Sequence, residues 1–298
     1  MNNNRTGFKA HTWCMAAVLA ALTVAAGCGS GDEILGTTPP TSSSGPLGGG
    51  GAGGANPPLA IDLGVAVTYG IASRAGLSST GVTVVNGDVA LFPLGTCTDA
   101  TGAPANCQVQ NKPPSALGLT VNGVIRHPTD SDAGATATAV TTALTAAWVQ
   151  GMAFANTQPA IAADQLGGKT FVPGVYENAN LGLAAGTVAT MNAQNNPNAV
   201  FIFKVTLGGD IVDSGTLLLP TRIDLINGAQ ARNVWFLSGR DITIGTATTW
   251  NGHILANRTA VVNGRSTVNG RVLAGAGGAG AVSLVGVALV PTTVNVLQ

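Results

Sequence analysis

NAVFIFKV (198–205), IDLINGAQ (223–230), NVWFLS (233–238), DITIGTATTWNGHILA (241–256) and TAVVNGRSTVNGRVLA (259–274) follow one another along the chain. Short runs of Val, Ile, Phe, Thr and Leu are broken by Gly-containing corners every ~8–12 residues, the pattern of many short strands. Asn-Gly recurs at Asn227-Gly228, Asn251-Gly252, Asn263-Gly264 and Asn269-Gly270. The pair suits a sharp corner because Asn tolerates positive φ and Gly adopts it freely. An antiparallel sandwich and a stack of coils both satisfy this pattern. The density of corners, with almost no charged face between them, favours coils, because a solenoid fills its interior with small and β-branched side chains.

Composition agrees. Charged residues make up 9% of the 298 and glycine accounts for 42, which suits tightly turning β structure better than an ordinary enzyme of helices and sheets. Lys+Arg and Asp+Glu are 13 each. Removing Arg5 and Lys9 with an N-terminal leader leaves 11 against 13, a net charge of about −2 that does not attract nucleic acid.

Arg5 and Lys9 precede an apolar run over residues 13–26 that ends in Val24-Ala25-Ala26-Gly27-Cys28. This resembles a bacterial lipoprotein signal (1–28), which implies lipidation of Cys28 and anchoring at the outer membrane or cell surface. An ordinary secretory signal and a retained anchor are the alternatives; all three export the protein. Residues 29–58 are Gly, Ser, Thr and Pro with few aliphatic residues, the composition of a flexible tether.

The folded domain is expected over 59–298. Residues 63–91 (LGVAVTYGIASRAGLSSTGVTVVNGDVAL) read as two coils. Residues 92–127 read as a cap or insertion holding Cys97 and Cys107. In an exported chain, two cysteines ten residues apart most simply form a disulfide, adding ~2–3 kcal/mol by restricting the unfolded chain. A metal site with His127 and His253 lacks ligand spacing; free thiols are the third alternative. Residues 128–155 read as one long helix, capped by Thr129 or Ser131, with Asp130 and Asp132 in its first turn. Its apolar stripe is Ala133, Ala137, Val140, Leu144, Ala147, Gly151 and Phe154. At ~39 Å it would lie along the coils and cover one side of their interior. VFIFKV (200–205) should be the most buried strand, and the tail 281–296 should close the end of the stack.

NPNAVFIF (196–203), INGAQARNVWF (226–236), GTATTWNGHILA (245–256) and STVNGRVLA (266–274), with LGGKTFVPGVY (166–176) and TGVTVVNGDVAL (80–91) upstream, resemble the ice-binding protein family of bacteria and fungi. The resemblance covers roughly residues 61–298. It implies a mainly β fold, a right-handed discontinuous β-solenoid with one long α-helix packed alongside, in which the early coils sit next to late strands. It also implies a non-enzymatic protein without cofactor.

Candidate chemistry is sparse. The chain has no Gly-x-Ser-x-Gly, His-Glu-x-x-His or phosphate-loop motif. Asp88, Asp130, Asp164, Asp210, Asp213, Asp224 and Asp241 are scattered and read as turn and cap residues, although solenoid glycosidases and lyases do gather aspartates on one face. Family members that bind ice carry a loose Thr-Ala/Gly-x-Thr/Asn pattern on a flat face. Thr80-Gly81-Val82-Thr83 and Thr246-Ala247-Thr248-Thr249 match it, so Thr80, Thr83, Thr246, Thr248 and Thr249 are the candidate ice-contacting residues. Threonine is stiff at χ1 and offers both a methyl and a hydroxyl to ordered water. Asp213, Val188, Asn263 and Arg265 stand at what look like equivalent places in other coils. Two functions follow: a flat face presented to ice or ordered water, or a surface adhesion module binding a polysaccharide or a partner protein.

Overall fold

The computed structural model describes residues 60–98, 118–287 and 290–296. Strands come first: β1 (Tyr69–Ser73), β2 (Leu77–Thr80), β3 (Thr83–Asn86), β4 (Asp88–Leu91), β5 (Cys97–Thr98), β6 (Leu119–Val121) and β7 (Ile125–Arg126). The helix α1 (Ala135–Ala153) follows. Then come β8 (Thr170–Phe171), β9 (Gly174–Asn178), β10 (Leu181–Leu183), β11 (Val188–Asn192), β12 (Phe201–Leu207), β13 (Ile211–Asp213), β14 (Arg222–Ile226) and β15 (Val234–Gly239). The last eight are β16 (Ile242–Ile244), β17 (Thr249–Asn251), β18 (His253–Ala256), β19 (Ala260–Val262), β20 (Thr267–Asn269), β21 (Val272–Ala274), β22 (Val282–Val285) and β23 (Thr292–Asn295).

These strands build three parallel sheets, the three sides of a solenoid. The helix sheet runs β7-β4-β1-β21-β18-β15-β12-β9, the second β10-β13-β16-β19-β22-β2-β5 and the third β6-β3-β23-β20-β17-β14-β11-β8. Each coil takes one strand from each sheet, so β8, β9 and β10 form the first coil and β20, β21 and β22 the fifth. The sixth is shared between the two ends of the chain: β23 supplies its third-sheet strand, β1 and β2 the others. The tail therefore does not close the stack. β22 pairs with β2 and β23 with β3, so the N-terminal coils extend the stack beyond the tail. The solenoid is discontinuous as the resemblance implied, and α1 carries the chain back from the last coil to the first.

Inside, identical registers stack like on like. In the helix sheet, Tyr176, Phe203 and Phe236 face inward in successive coils, with ring centroids 5.0 Å apart and planes 11° from parallel. The column continues as Ile254, Val272, Ile71 and Val89, so it tapers from aromatic to β-branched side chains. Each is essentially fully buried apart from Tyr176, which keeps its hydroxyl on the Val172 carbonyl at 2.8 Å. Residues Phe201 to Val205 of β12 are all buried, as expected of VFIFKV.

The helix sheet is apolar on its outer side too. Val175, Ile202, Trp235, Leu237, Leu255, Leu273, Ala72 and Ala90 pack against Val140, Leu144, Ala147 and Trp148 of α1 and against the segment at 61–66. The helix therefore covers the outside of a finished sheet; the three sheets close the interior by themselves. Its 19 residues span ~28 Å, enough for the strands from β4 to β12 at ~4.8 Å each. Burying an aliphatic side chain such as Leu144 contributes ~1.5–3 kcal/mol. Thr138, Thr141 and Thr145 return their hydroxyls to helix carbonyls three or four residues back, which lets threonine stand on a largely buried helix.

The helix is shorter than residues 128–155. Ala133 and Gly134 are left-handed, at φ 51° and 77°, which ends helical hydrogen bonding before Ala135. The cap is Asp132, not Thr129 or Ser131: its carboxylate accepts from Thr136 N at 2.9 Å and Gly134 N at 3.0 Å. At the other end, Lys204 donates to the Met152 and Phe154 carbonyls at 3.1 and 2.6 Å and pairs with Glu177 at 2.8 Å.

Of the proposed cap, Cys97 begins β5, an edge strand of the second sheet, and is buried. Its expected partner Cys107 lies outside the described residues, as do Cys28 and the tether at 29–58.

Candidate functional site

Because α1 lies against the helix sheet, the second and third sheets are the sides it leaves uncovered. On the second sheet, strands of two to four residues share one outward column: Gly182, Val212, Thr243, Val261, Ser283, Ser78 and Thr98 in register. The column is uncharged but narrow, and its hydroxyls are interrupted by Gly and Val. Thr80, exposed at the end of β2, pairs with Val285 in a short second column.

The third sheet is wider and more regular. Thr249, Thr267 and Thr293 face outward in direct register on β17, β20 and β23, continued by Val84 and Thr120. Two residues along each strand stand Asn251, Asn269, Asn295 and Asn86, and Asn122 adds a fifth. The two columns make a grid with spacings of ~4.8 Å between coils and ~6.7 Å along a strand.

The asparagines form a continuous ladder. Asn122 Nδ2 donates to Asn86 Oδ1 at 2.6 Å, Asn86 to Asn295 at 2.7 Å, Asn295 to Asn269 at 2.9 Å and Asn269 to Asn251 at 2.8 Å. Asn251 ends it on the Ile223 carbonyl at 2.7 Å. Each amide inside the ladder uses one N–H and one oxygen lone pair, leaving a donor and an acceptor for solvent in a fixed orientation. The hydroxyls of Thr249, Thr267 and Thr293 have no partner within the protein among the described residues. The array stops at β14, where Arg222 Nε donates to Asp224 at 2.8 and 3.0 Å and puts an ion pair on the face.

The sequence-predicted threonines divide at the corner between the second and third sheets. Thr249 is exposed within the grid, Thr80 is exposed at the edge of the second sheet, and Thr246 is half-buried at the corner. Thr83 and Thr248 are corrections: they are 0% and 1% exposed and point inward, so neither belongs to an outer face. Thr83 meets Ser79 at 2.5 Å. Thr248 donates to the buried Asp213 carboxylate at 2.5 Å, where Thr221 also donates at 2.7 Å and the Gly245 and Gly215 amides at 2.8 and 3.0 Å. The second place of the motif has its own cause: Gly81, Ala247 and Arg265 stand there with φ 67°, 58° and 62°, a left-handed corner that favours glycine. Arg265 is exposed at this corner and lies outside the two grid columns.

Thr267, Thr293 and the asparagine ladder are functional candidates beyond that motif. Their signal is a second recurrence, Thr-x-Asn, at 249–251, 267–269, 293–295 and 120–122, with Val84-x-Asn86 as its variant.

The remaining aspartates act as turn, cap and ion-pair residues. Asp130 accepts from His127 N, Asp164 from Asn178, and Asp241 from Thr259 N. Asp210 pairs with Arg240, whose hydrogen bond holds its carboxyl below the usual range. His253 is a buried residue of β18 packed against Trp235, and burial drives its pKa down to about 3. Among the described residues no group of three His, Cys, Asp or Glu is placed to hold a metal.

Comparison with known proteins places this geometry. An ice-binding protein of Leucosporidium sp. (strain AY30) is 28% identical over 219 residues, 72% of this chain and 78% of its own length. The crystal structure of an ice-binding protein from the Antarctic ascomycete Antarctomyces psychrotrophicus aligns with TM-score 0.63 and 29% identity, over 80% of this chain and 98% of its own. A domain of ice-binding protein 1 of Shewanella frigidimarina aligns with TM-score 0.64 and 25% identity, over 80% and 99%. The family model described as ice-binding-like matches residues 71–289. The fold, its out-of-order coils and this match together make the chain a member of the ice-binding-like family.

Proposed function

We propose that this protein binds ice through the third sheet, with Thr249, Thr267 and Thr293 and the asparagine ladder as the contact surface. The observation that carries the reading is the direct register of the three threonines beside five hydrogen-bonded asparagines. Threonine methyls and hydroxyls, repeated at fixed spacing on a backbone that cannot flex, hold water in a lattice at little cost in side-chain entropy. No catalytic group is needed. Thr80 and Thr246 flank the corner of the same surface.

The chain's address belongs to the same proposal. Lipidation at Cys28 would hold the exported domain at the outer membrane or cell surface, with residues 29–58 as its tether and a Cys97–Cys107 disulfide tying the insertion. In this reading the domain presents ice or ordered water to the cell that carries it.

The test is direct. Single ice crystals grown in the purified protein should become faceted, and recrystallisation should slow at micromolar protein. Disc-shaped crystals and unchanged recrystallisation at the highest soluble concentration would contradict the proposal.

A further inference from the structure

The corner where the third sheet turns into the helix sheet carries a groove of about 1010 Å³. It follows the stack from Arg232, ahead of β15, to Asp88 at the start of β4, and the segment at 61–68 forms its other wall. From the third coil to the seventh this is ~19 Å at the ordinary strand spacing. Both its volume and its mixed lining are those of a ligand site.

The walls are rigid. Trp235 and His253 pack ring against ring at 4.3 Å between centroids. Arg271 Nε donates to the Val67 carbonyl at 3.0 Å and fixes the 61–68 segment to the solenoid. The apolar lining, with Ile61, Leu63 and Val67, is larger than the polar part.

The polar groups are planar and balanced in charge. Asp62 and Asp88 carry two negative charges; Arg232 and Arg271 carry two positive ones. His253, with its low pKa, is neutral and adds none. Asp62 spends Oδ1 on Gly64 N at 2.7 Å, and Asp88 spends Oδ1 on Val124 N at 2.9 Å, leaving Oδ2 of each unused. Arg232 is exposed, and its guanidinium has no protein partner among the described residues. The Asn122 amide at the same rim gives one N–H to the ladder and keeps its oxygen free.

We propose that this groove binds a short neutral oligosaccharide. A guanidinium, a carboxylate edge and an amide each match a pair of neighbouring hydroxyls in two parallel hydrogen bonds, and the apolar wall takes the C–H face of the sugar rings. Balanced charge gives no net attraction to an ionic ligand, and the length suits a strand lying along the corner. The inference does not rest on ice binding: the groove shares Asn86 and Asn122 with the ladder, and its other lining residues lie outside the third-sheet grid.

The experiment is calorimetric titration and amide-resolved NMR of the protein with cellotriose, maltotriose, mannotriose and chitotriose, in the wild type and in the R232A and D62A variants. Both side chains are exposed, so thermal unfolding should match the wild type and confirm that each variant is folded. The expected result is that at least one trisaccharide binds with Kd of about 1 mM or tighter, shifts the Trp235 indole and Asn122 amide signals, and binds about tenfold more weakly to each variant. Absence of binding by all four at about 10 mM would overturn the proposal. So would affinity unchanged in both variants, or shifts confined to the second sheet.

Discussion

Asn86 and Asn295 lie 209 residues apart in the chain, yet Asn86 Nδ2 donates to Asn295 Oδ1 at 2.7 Å. The bond marks the seam where the tail strand β23, laid on β20, meets β3 from the start of the domain. Asn295→Ala would leave the Asn86 donor and the Asn269 acceptor without their ladder partners. The expected cost is about 1–2 kcal/mol, reduced where water substitutes, and read as a lower urea midpoint with an unchanged slope.

Lys204 should matter more. Its side chain is 6% exposed and serves two helix carbonyls and Glu177 together. Replacing it by Met leaves a half-buried carboxylate and an uncapped helix end. A loss of about 3 kcal/mol is expected in denaturant unfolding, with a smaller loss for Glu177→Gln.

At the corner between the second and third sheets, Ala247 has φ 58°. A left-handed alanine costs ~1–2 kcal/mol, of which glycine returns part as backbone entropy. Ala247→Gly is therefore expected to raise stability by about 0.5–1 kcal/mol, seen as a higher Tm. A drop in Tm would mean that the methyl group contributes packing that outweighs the strain.

Acid should weaken the fold early. Burial first, and then the Arg271 charge, lower the His253 pKa from 6.5 to about 3. Below pH 6.5 the unfolded chain takes up a proton that the folded one refuses. Stability is thus fully present above that pH and falls toward pH 3 at up to ~1.4 kcal/mol per pH unit. Between about pH 6.5 and 5 the loss should be ~1–2 kcal/mol. Below about pH 4.5 it steepens, as the unfolded chain protonates Glu177 and Asp210 while Lys204 and Arg240 hold them ionised in the folded one. Denaturant melts at three pH values test this, and His253→Gln should flatten the upper part of the curve.

Much of the architecture is legible in the residues themselves. Asn-Gly at 251–252 and 269–270 names true corners: a Cβ on Gly270 would lie 2.1 Å from the Gly252 carbonyl oxygen, so successive corners stack only as glycines. The burial of VFIFKV and the presence of an Ala-rich helix are equally readable. Side-chain parity is not. A residue such as Thr248 faces in or out according to where the left-handed residue falls, and one step moves it from the surface to the Asp213 carboxylate. Nor does periodicity say that β12 is apolar on both sides because a helix lies outside it, or that the tail enters the middle of the stack. Those are pairings between distant segments, settled by packing.

The most direct test of the central claim is the ice activity of Thr267→Tyr, in the middle of the threonine column, against Val261→Tyr on the second sheet. Both positions face outward, so both variants should keep the wild-type Tm within a few degrees. Thr267→Tyr should lose most thermal hysteresis and crystal shaping while Val261→Tyr keeps them. Full activity in Thr267→Tyr, with loss in Val261→Tyr, would contradict the assignment of the third sheet as the ice-binding surface.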